Sequence, residues 1–343
     1  MKTIKTLLCT LTLAFTSVVQ AQDHCGTFTP WTDPEIVAKS TPAELETMQA
    51  EYYQQLADYQ KVAKLNQGKK AETLRIPMVV HVIHNYGPEN ISDQAINQLV
   101  NILNDDFNAR YPNKSDVYDE FQDILGNTEV EFRLAKKGPN GECVSGINRV
   151  AVNDPYFSNY SDGRSQIDNL KRQLNWNVNK YMNIYIVGSI ENSGGGRVLG
   201  YATFPRTTLS STDGFVTIYE GLGDHASTSS HEIGHYLGLQ HTFVGTVESP
   251  NNCGLSDGVD DTPTTIGYFS TCPSKANSVS CGSLDNMHNI MDYGRCAVNF
   301  TLGQSAVMRG VLGNQRSTLV SAQNLIDTGS DYDLEDTPQF LCT

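Results

Sequence analysis

The chain has 343 residues, of which 24 are lysine or arginine and 38 are aspartate or glutamate, so its formal net charge at neutral pH is −14. This acidic balance excludes nucleic acid as the main partner, because phosphate binding requires a concentrated surplus of basic side chains. Hydrophobic residues make up 39% of the chain, which is enough for a folded core and unlike a disordered protein.

The N-terminus is typical of an export signal. Lys2 and Lys5 precede an apolar stretch over residues 7–19, and small residues then lead to a predicted cleavage after Ala21. The alternative is an N-terminal membrane anchor, but the apolar run is shorter than the roughly 20 residues that span a bilayer. We therefore predict a signal peptide over residues 1–21, a secreted mature chain and no membrane partner.

The next zone, residues 22–75, is polar and carries one predicted helix over residues 42–65. It has too few large apolar residues to build a core of its own. At Ile76 the character changes, because residues 76–83 are rich in β-branched side chains and predict a buried strand. Ser92 then precedes apolar residues spaced by three and four, a pattern that predicts an amphipathic helix.

The rest of the chain alternates strands with helices and then becomes irregular. Further strands are predicted at residues 128–134, 181–187 and 215–219. The chain after about His241 is mostly irregular until a predicted helix over residues 302–312. The succession of strand, helix and strand indicates a subdomain built on a sheet that helices cover.

The cysteines fit an oxidising compartment. Removal of the signal peptide leaves seven, an odd number, so one thiol stays unpaired. Four of the seven lie between residues 253 and 296, in a stretch that is rich in polar residues and has little apolar periodicity. Such a stretch is poorly held by a core, so we predict disulfide bonds within it.

The motif that carries chemistry lies at residues 231–241. On a helix, His231 and His235 are one turn apart and project from the same face, so both can bind one metal ion. Gly238 can adopt a left-handed conformation that ends the helix and lets His241 reach the same ion. Three neutral nitrogens with an open fourth position are the ligand set of a catalytic zinc ion, and Glu232 lies beside them.

The extended pattern HExxHxxGxxH, followed by Asn-Ile-Met-Asp-Tyr at residues 289–293, resembles the metzincin clan of zinc peptidases. Residues 237–243, 261–263 and 299–304 narrow the resemblance to ulilysin-like members of the pappalysin family. It covers roughly residues 75–312 and implies an α+β fold. The resemblance implies that a twisted mixed sheet with helices lies above a zinc cleft and that an irregular subdomain stapled by disulfides lies below it. It also implies that the edge strand of the sheet pairs with an extended peptide substrate.

The resemblance also implies a mechanism, in which Glu232 takes the proton of a zinc-bound water as that water attacks a peptide carbonyl. Tyr293 is implied to stabilise the oxyanion, the alternative being a packed aromatic beneath the site. Met291 is expected to form an apolar floor under the imidazoles. The predicted function is a zinc endopeptidase acting on peptides or proteins. The alternative is a zinc-stabilised extracellular binding or adhesion module without turnover.

The resemblance suggests disulfides from Cys253 to Cys281 and from Cys272 to Cys296, and the remainder would then pair Cys143 with Cys342. Cys25 is left over. Its thiolate could occupy the fourth zinc position, as in cysteine-switch proenzymes. The alternative is a disulfide from Cys25 to Cys143 or Cys342.

These inferences predict four parts of the chain. The signal peptide spans residues 1–21, a pro-segment that acts as an intramolecular inhibitor spans 22–75, the catalytic domain spans 76–323 and a C-terminal tail spans 324–343. Removal of the pro-segment is expected between about Lys69 and Arg75, at polar residues that a protease can reach.

An acidic loop at residues 256–262 supplies hard oxygen ligands within a tight turn, as calcium prefers. Pappalysins that resemble this chain bind structural calcium near this position. We therefore expect a calcium site built from Asp257, the carbonyl of Val259 and Thr262. The alternative is a solvated acidic turn, and the loop does not follow the spacing of an EF-hand.

The chain departs from the ulilysin-like pattern just after Tyr293. Those relatives carry acidic residues there and cleave before arginine or lysine, whereas this chain has only Gly294 and Arg295 before Cys296. An Arg295 that lines the pocket for the residue after the scissile bond would repel basic side chains and favour acidic or uncharged ones. The alternative places Arg295 in solvent at the rim of the pocket.

Overall fold

The computed structural model describes residues 24–159, 163–190, 198–222, 228–269 and 271–332. The predicted signal peptide and Cys342 lie outside these residues. The α-helices are α1 (Pro34–Val37), α2 (Pro42–Leu65), α3 (Asp93–Phe107), α4 (Asp119–Gln122), α5 (Gly163–Leu174), α6 (Thr228–Tyr236), α7 (Leu302–Gly313) and α8 (Ala322–Thr328). The strands are β1 (His24–Cys25), β2 (Leu74–His84), β3 (Val130–Leu134), β4 (Ile147–Ala151), β5 (Met182–Val187), β6 (Val198–Ala202), β7 (Phe215–Ile218), β8 (Val279–Ser280) and β9 (Ser283–Leu284).

Seven of the strands form one mixed sheet in the order β1-β6-β7-β5-β2-β3, with β4 also paired to β2. The long strand β2 serves two neighbours in turn, since its first half pairs with β3 and its second half with β4. Strands β6 and β7 are antiparallel, and the other pairings of this sheet are parallel. Among the described residues, only the two-residue β1 pairs with the outer side of β6, so β6 is the edge strand of the described chain that follows residue 75.

The core lies between this sheet and helices α3, α6 and α7. Helix α3 begins after Ser92, whose hydroxyl accepts a hydrogen bond from the amide of Ala95 at 3.2 Å. Its buried apolar stripe consists of Ile96, Leu99, Val100, Leu103 and Phe107. The ring of Phe107 lies 4.9 Å from the ring of Phe132 on β3 and 4.9 Å from that of Phe300, just before α7. This aromatic side chain therefore joins the sheet to the lower part of the molecule.

The predicted strands and helices are present, with ends within two residues of those expected. Strands β4 and β6 and helix α5 were not predicted. Helix α5 is strongly polar, and its buried residues are Gly163, Ile167 and Lys171. Strand β4 alternates only weakly between exposed and half-buried positions. The sequence of β4 lacks a clear alternation, and α5 has only three large apolar residues, Ile167, Leu170 and Leu174, which follow helical spacing within an otherwise polar stretch.

Helix α8 crosses the predicted start of the C-terminal tail at residue 324. The buried amide of Asn324 donates to the carbonyl oxygen of Lys180 at 2.9 Å. The carbonyl of Thr328 accepts hydrogen bonds from the amides of Lys136 and Lys137 at 3.0 and 2.9 Å. The chain is thus packed against the sheet beyond residue 324. Hydrogen bonds rather than apolar side chains hold this helix in place. The apolar pattern of the sequence therefore gives no sign that the packed domain continues beyond residue 323.

The segment between α6 and α7 contains the short hairpin of β8 and β9 and little other regular structure, as predicted. Two disulfides staple it, Cys253–Cys281 and Cys272–Cys296, and both are the predicted pairs. Cys143 is also disulfide-bonded. Among the described residues, no helix is long and apolar enough to cross a membrane.

The N-terminal zone wraps over the rest of the molecule and has no core of its own. Helix α2 begins with a capping box between Thr41 and Glu44, and its buried residues are Leu56 and Gln60. It packs against α7, and the hydroxyl of Tyr59 donates to the side chain of Gln315, just after α7, at 2.8 Å. Residues 22–75 therefore depend on the remainder of the chain for their fold.

Candidate active site

Helix α6 positions the histidine motif. All of its residues from Ser229 to Tyr236 are buried. Gly238 ends the helix with a φ of +90°, as predicted, and the amide of Leu239 donates back to the carbonyl of Gly234 at 2.9 Å. This turn brings His241 back alongside the helix. Thr228 is the first residue of this helix.

The three histidines of the motif converge on one point. The Nε2 atom of His235 lies 3.1 Å from Nε2 of His231 and 3.0 Å from Nε2 of His241, and the third side of this triangle is 3.2 Å. Nδ1 of His231 contacts the carbonyl oxygen of Ile290 at 2.7 Å, and Nδ1 of His235 contacts that of Leu239 at 2.7 Å. Because a carbonyl only accepts, both Nδ1 atoms carry the proton, and both Nε2 lone pairs face the triangle.

This donor set fits a metal ion. A tetrahedral ion with nitrogen ligands at about 2.0–2.1 Å separates those nitrogens by about 3.3 Å, close to the observed triangle. Burial lowers the pKa of His231 to about 4, so its imidazole is neutral and able to act as a ligand. The ligand atoms of Cys25 and the three histidines all lie within 4.8 Å of one another. The predicted fourth ligand is therefore next to the predicted three.

Glu232 lies beside this cluster and is fully buried. Burial raises the pKa of its carboxyl to about 7, and hydrogen bonds from Cys25 and Thr27 and the positive charge of Arg164 oppose that rise. Its Oε2 atom accepts a hydrogen bond from the hydroxyl of Thr27 at 2.8 Å. Strand β6 passes close to this side chain at Gly200. A Cβ atom at that position, which glycine lacks, would lie only 3.0 Å from Cγ of Glu232. The carboxylate thus stands between the histidines and the edge of the sheet.

Met291 and Tyr293 lie on the chain that closes the site from below. Met291 is fully buried and packs against Gly234 of helix α6. The contact is so close that a Cβ atom, which glycine lacks, would lie 2.4 Å from the Sδ atom of Met291. The ring of Tyr293 lies 4.8 Å from the ring of His241, and its hydroxyl oxygen accepts a hydrogen bond from the amide of Cys25 at 3.3 Å. The tyrosine hydroxyl therefore reaches the cleft rather than the core.

The N-terminal residues occupy the cleft. Strand β1 pairs with the edge strand β6 in parallel, and the amide of Gly26 donates to the carbonyl of Gly200 at 2.8 Å. The hydroxyl of Thr27 accepts from the amide of Ala202 at 2.8 Å while it donates to Glu232. Cys25 is a free thiol, so the alternative of a disulfide at Cys25 is wrong. Burial and the negative charge of Glu232 raise the pKa of this thiol.

The acidic loop brings its three predicted ligands together. The hydroxyl oxygen of Thr262 lies 2.7 and 2.9 Å from the two carboxyl oxygens of Asp257 and 3.0 Å from the carbonyl oxygen of Val259. Asp257 is only 4% exposed, and burial raises its pKa to about 7. The carboxylate accepts hydrogen bonds from the hydroxyl of Thr262 and, at 3.1 Å, from the amide of Val259, and oxygen atoms of these kinds are the ligands that a hard cation prefers.

Arg295 is exposed, and its backbone amide donates to the carbonyl of Thr271 at 3.0 Å. That it lines a specificity pocket stays a prediction.

Two residues of the cleft were missed by the sequence analysis. Thr27 follows Cys25 by two positions, so the alternation of a strand places both side chains on one face, and this signal could have found it. Arg164 donates to the carbonyl of Gly26 at 2.6 Å. It lies on a helix that was not predicted, and no sequence signal pointed to it.

Comparisons with known proteins agree with this site. The model of the peptidase M43 family, described as pregnancy-associated plasma protein-A, matches residues 165–313. Mature mirolysin of Tannerella forsythia, solved in complex with a cleaved peptide, is 30% identical with a TM-score of 0.66, over 76% of this chain and 99% of that chain. A promirolysin variant from the same organism is 28% identical with a TM-score of 0.68, over 86% of this chain and 96% of that chain. An extracellular metalloprotease of Arthroderma otae is 26% identical over 246 residues, which are 68% of this chain and 76% of the relative.

Fold, site and relatives together define a metalloprotease. The chain belongs to the pappalysin family, as its motifs predicted, and the predicted α+β fold of metzincin type is confirmed. The alternative of a binding module without turnover is therefore dropped.

The convergence of the three histidines predicts one tightly held transition metal ion per chain. His241→Gln removes one of three nitrogens and should lose the ion during dialysis against a weak chelator, while the wild-type chain retains it. His288→Gln is the matched control, since His288 is buried against Tyr118 and is not part of the cluster. Elemental analysis of the folded protein measures the number of metal ions bound per chain. Equal metal in wild type and His241→Gln would contradict the assignment.

Proposed function

We propose that this protein is a secreted zinc endopeptidase that is made as a latent precursor and hydrolyses peptide bonds with Glu232 as its general base. The observation that carries the proposal is the triangle of Nε2 atoms from His231, His235 and His241 with the carboxylate of Glu232 beside it. Relatives named extracellular metalloproteases support secretion, in agreement with the signal peptide expected at residues 1–21.

His231, His235 and His241 would hold the zinc ion. When bound, zinc supplies a water of lowered pKa and a Lewis acid for the carbonyl oxygen of the substrate. Glu232 accepts the proton of the attacking water at its carboxylate and afterwards gives it to the leaving amine. Its burial suits both tasks, because a raised pKa near the working pH lets one group act first as base and then as acid.

Tyr293 is proposed to donate its hydroxyl hydrogen to the oxyanion that forms as water adds to the carbonyl. Its support is the hydroxyl's place in the cleft, where it accepts a hydrogen bond from the amide of Cys25. The peptide itself would lie along β6, where the amide of Ala202 and the carbonyl of Gly200 already bind the N-terminal residues.

Glu232→Gln tests the proposed base with almost no change in shape. We expect kcat on a denatured protein substrate to fall by about 10²–10⁴, because the amide cannot accept the proton. Metal content and the midpoint of unfolding should stay those of the wild type, which separates chemistry from folding. Turnover within a factor of three of the wild type would rule out this role.

We propose that residues 22–75 keep the enzyme latent through three contacts with the cleft. Cys25 Sγ lies in the ligand cluster, the hydroxyl of Thr27 binds Glu232, and Gly26 pairs with β6. A cation at the cluster lowers the pKa of a nearby thiol and favours the thiolate as ligand. The parallel direction of β1 against β6 also presents the chain in one fixed orientation along the edge strand.

Helix α2 supports this latency from a second side. The side chain of Gln60 donates to the carbonyl of Gly258 at 2.8 Å and accepts from the amide of Asp260 at 2.8 Å. The hydroxyl of Tyr52 donates to the carbonyl of Gly238 at 3.0 Å, directly after the helix of the histidine motif. The linker that follows is exposed from residue 66 to 73. A protease can therefore cut between about Lys69 and Arg75 and release both contacts.

Thr27→Val tests whether latency depends on the hydroxyl that binds Glu232. Losing a hydrogen bond to a charged group costs about 1.5–3 kcal/mol, so the initial rate of the intact precursor on a small peptide should rise about 10-fold or more. Cys25→Ala should raise it as well. Thr29→Val is the matched control, because the contact described for that hydroxyl lies within the N-terminal turn, with the hydroxyl of Thr32 at 2.8 Å. Mass spectrometry confirms that the chain is intact. Precursors with Thr27→Val and Cys25→Ala that stay as inactive as the wild type would contradict this account.

We further propose that the acidic loop binds a structural calcium ion through Asp257, the carbonyl of Val259 and Thr262. The support is the buried carboxylate of Asp257 and the hydroxyl of Thr262, which contacts both this carboxylate and the carbonyl oxygen of Val259. Because α2 contacts the same loop through Gln60, the ion would stabilise the precursor as well as the mature enzyme.

Calcium should raise the melting temperature of the precursor. At a concentration of about 100 times Kd, binding contributes about 2.7 kcal/mol, which is about 5–10 °C for a domain of this size. Asp257→Asn should abolish the shift. Asp260→Asn, a change at an exposed carboxylate of the same loop, should preserve it. The measurement is thermal unfolding in the presence of excess zinc, once with calcium and once with a calcium-selective chelator. An equal shift in Asp257→Asn would place the ion elsewhere.

A further inference from the structure

Arg164 lies at the cleft and belongs to none of the predicted motifs. It is the second residue of α5 and is half-buried. Its guanidinium carbon lies 4.2 Å from the ring centre of Tyr201, and its Nη1 atom donates to the carbonyl oxygen of Gly26 at 2.6 Å. A guanidinium held on an aromatic face and bonded to a main-chain carbonyl is in place for peptide recognition.

The support beneath Arg164 belongs to the part of the chain that follows residue 75. Ile167 of α5 is buried in one apolar cluster with Tyr185 and Tyr201. The amine of Lys171 lies 5.3 Å from the ring centre of Tyr201, below the same helix. Removal of the N-terminal residues would take away Gly26 and the ring of Phe28, whose centre lies 4.8 Å from the guanidinium carbon, but it would leave the contact with Tyr201, so the guanidinium would remain on that ring beside β6.

The carbonyl that Arg164 binds lies next to the reacting centre. Gly26 directly follows Cys25, whose Sγ is within 4.8 Å of each histidine ligand atom. The amide of Gly26 pairs with the carbonyl of Gly200 on β6, so a chain at this position runs along the edge strand. The guanidinium thus binds an extended chain one residue away from the position of the metal.

Building on the proposed function, we propose that Arg164 is a substrate-binding residue of the mature enzyme. Its guanidinium binds a main-chain carbonyl oxygen of the peptide that replaces Gly26 beside β6. Every extended peptide offers such a carbonyl, so the contact strengthens binding without selecting a side chain. A charge-assisted hydrogen bond in a half-buried position is stronger than a neutral one, which makes the contact measurable.

The test uses enzyme matured from the full-length precursor, with Arg164→Gln, Arg164→Lys and a control, Arg172→Gln. Arg172 lies on the same helix, is exposed and bonds only to Asn169 among the contacts described for its side chain. A peptide cleaved by the wild type is shortened by one residue at a time from either end. For the full peptide we expect kcat/KM to fall about 10- to 100-fold in Arg164→Gln, mainly through KM, with partial recovery in Arg164→Lys.

The length series separates a binding role from a structural one. Once the peptide lacks the residue that lies beside Arg164, the difference between the wild type and Arg164→Gln should shrink to the part that comes from the charge of Arg164 on Glu232, which is the same for every peptide. A loss of the same size for every peptide, or no loss for the full one, would overturn the proposal. Calorimetric binding of the full peptide to the same variants in a Glu232→Gln background needs no turnover. It decides the role of Arg164 separately from the proposed catalytic activity.

Discussion

The structure depends on three neutral imidazole rings whose Nε2 lone pairs point at one another, which is unfavourable when no cation lies between them. Three Nε2 atoms lie 3.0–3.2 Å apart, and backbone carbonyls fix two of the rings with their lone pairs facing inward. Such lone pairs repel one another unless a positive ion lies between them. The buried helix α6, the turn at Gly238 and the carbonyl of Ile290 all hold the rings in this geometry. The folded chain is therefore built around a metal ion.

A second constraint acts at the edge of the sheet. Strand β6 is the edge strand of the part of the chain that follows residue 75, and the backbone of an edge strand can pair with an extended chain. In the precursor that chain is the protein's own N-terminus. The contacts of Cys25, Gly26 and Thr27 engage the metal cluster, the edge strand and Glu232 within three consecutive residues. In the proposed function, latency and substrate binding would use the same surface, so the N-terminal residues would have to leave before a peptide substrate binds.

The sequence predicted the parts of the molecule whose physics is local. The spacing of His231 and His235 on a helix and the left-handed turn at Gly238 need only the geometry of a few residues. The apolar stripe of α3 and the β-branched run of β2 also carry their own pattern. The resemblance to pappalysins added the cysteine pairs of the lower subdomain, which spacing alone leaves open.

What the sequence did not predict depends on contacts between distant segments. Strand β6 is short and contains Gly200, whose lack of a side chain matters only because Glu232 packs against it. Arg164 gains its place through Tyr201 and Gly26, which are far from it in the sequence. Helix α8 is held by hydrogen bonds to Lys136, Lys137 and Lys180, so its apolar pattern is weak. Each of these elements becomes visible only once the topology is known.

X-ray absorption spectroscopy at the zinc edge tests the central claim most directly, because it reports the atoms bound to the ion in precursor and mature protein. The account predicts three nitrogen neighbours at about 2.0–2.1 Å in both forms, with one sulfur at about 2.3 Å in the precursor that is replaced by oxygen after maturation. An ion surrounded by oxygen alone, or a precursor spectrum without sulfur, would contradict it.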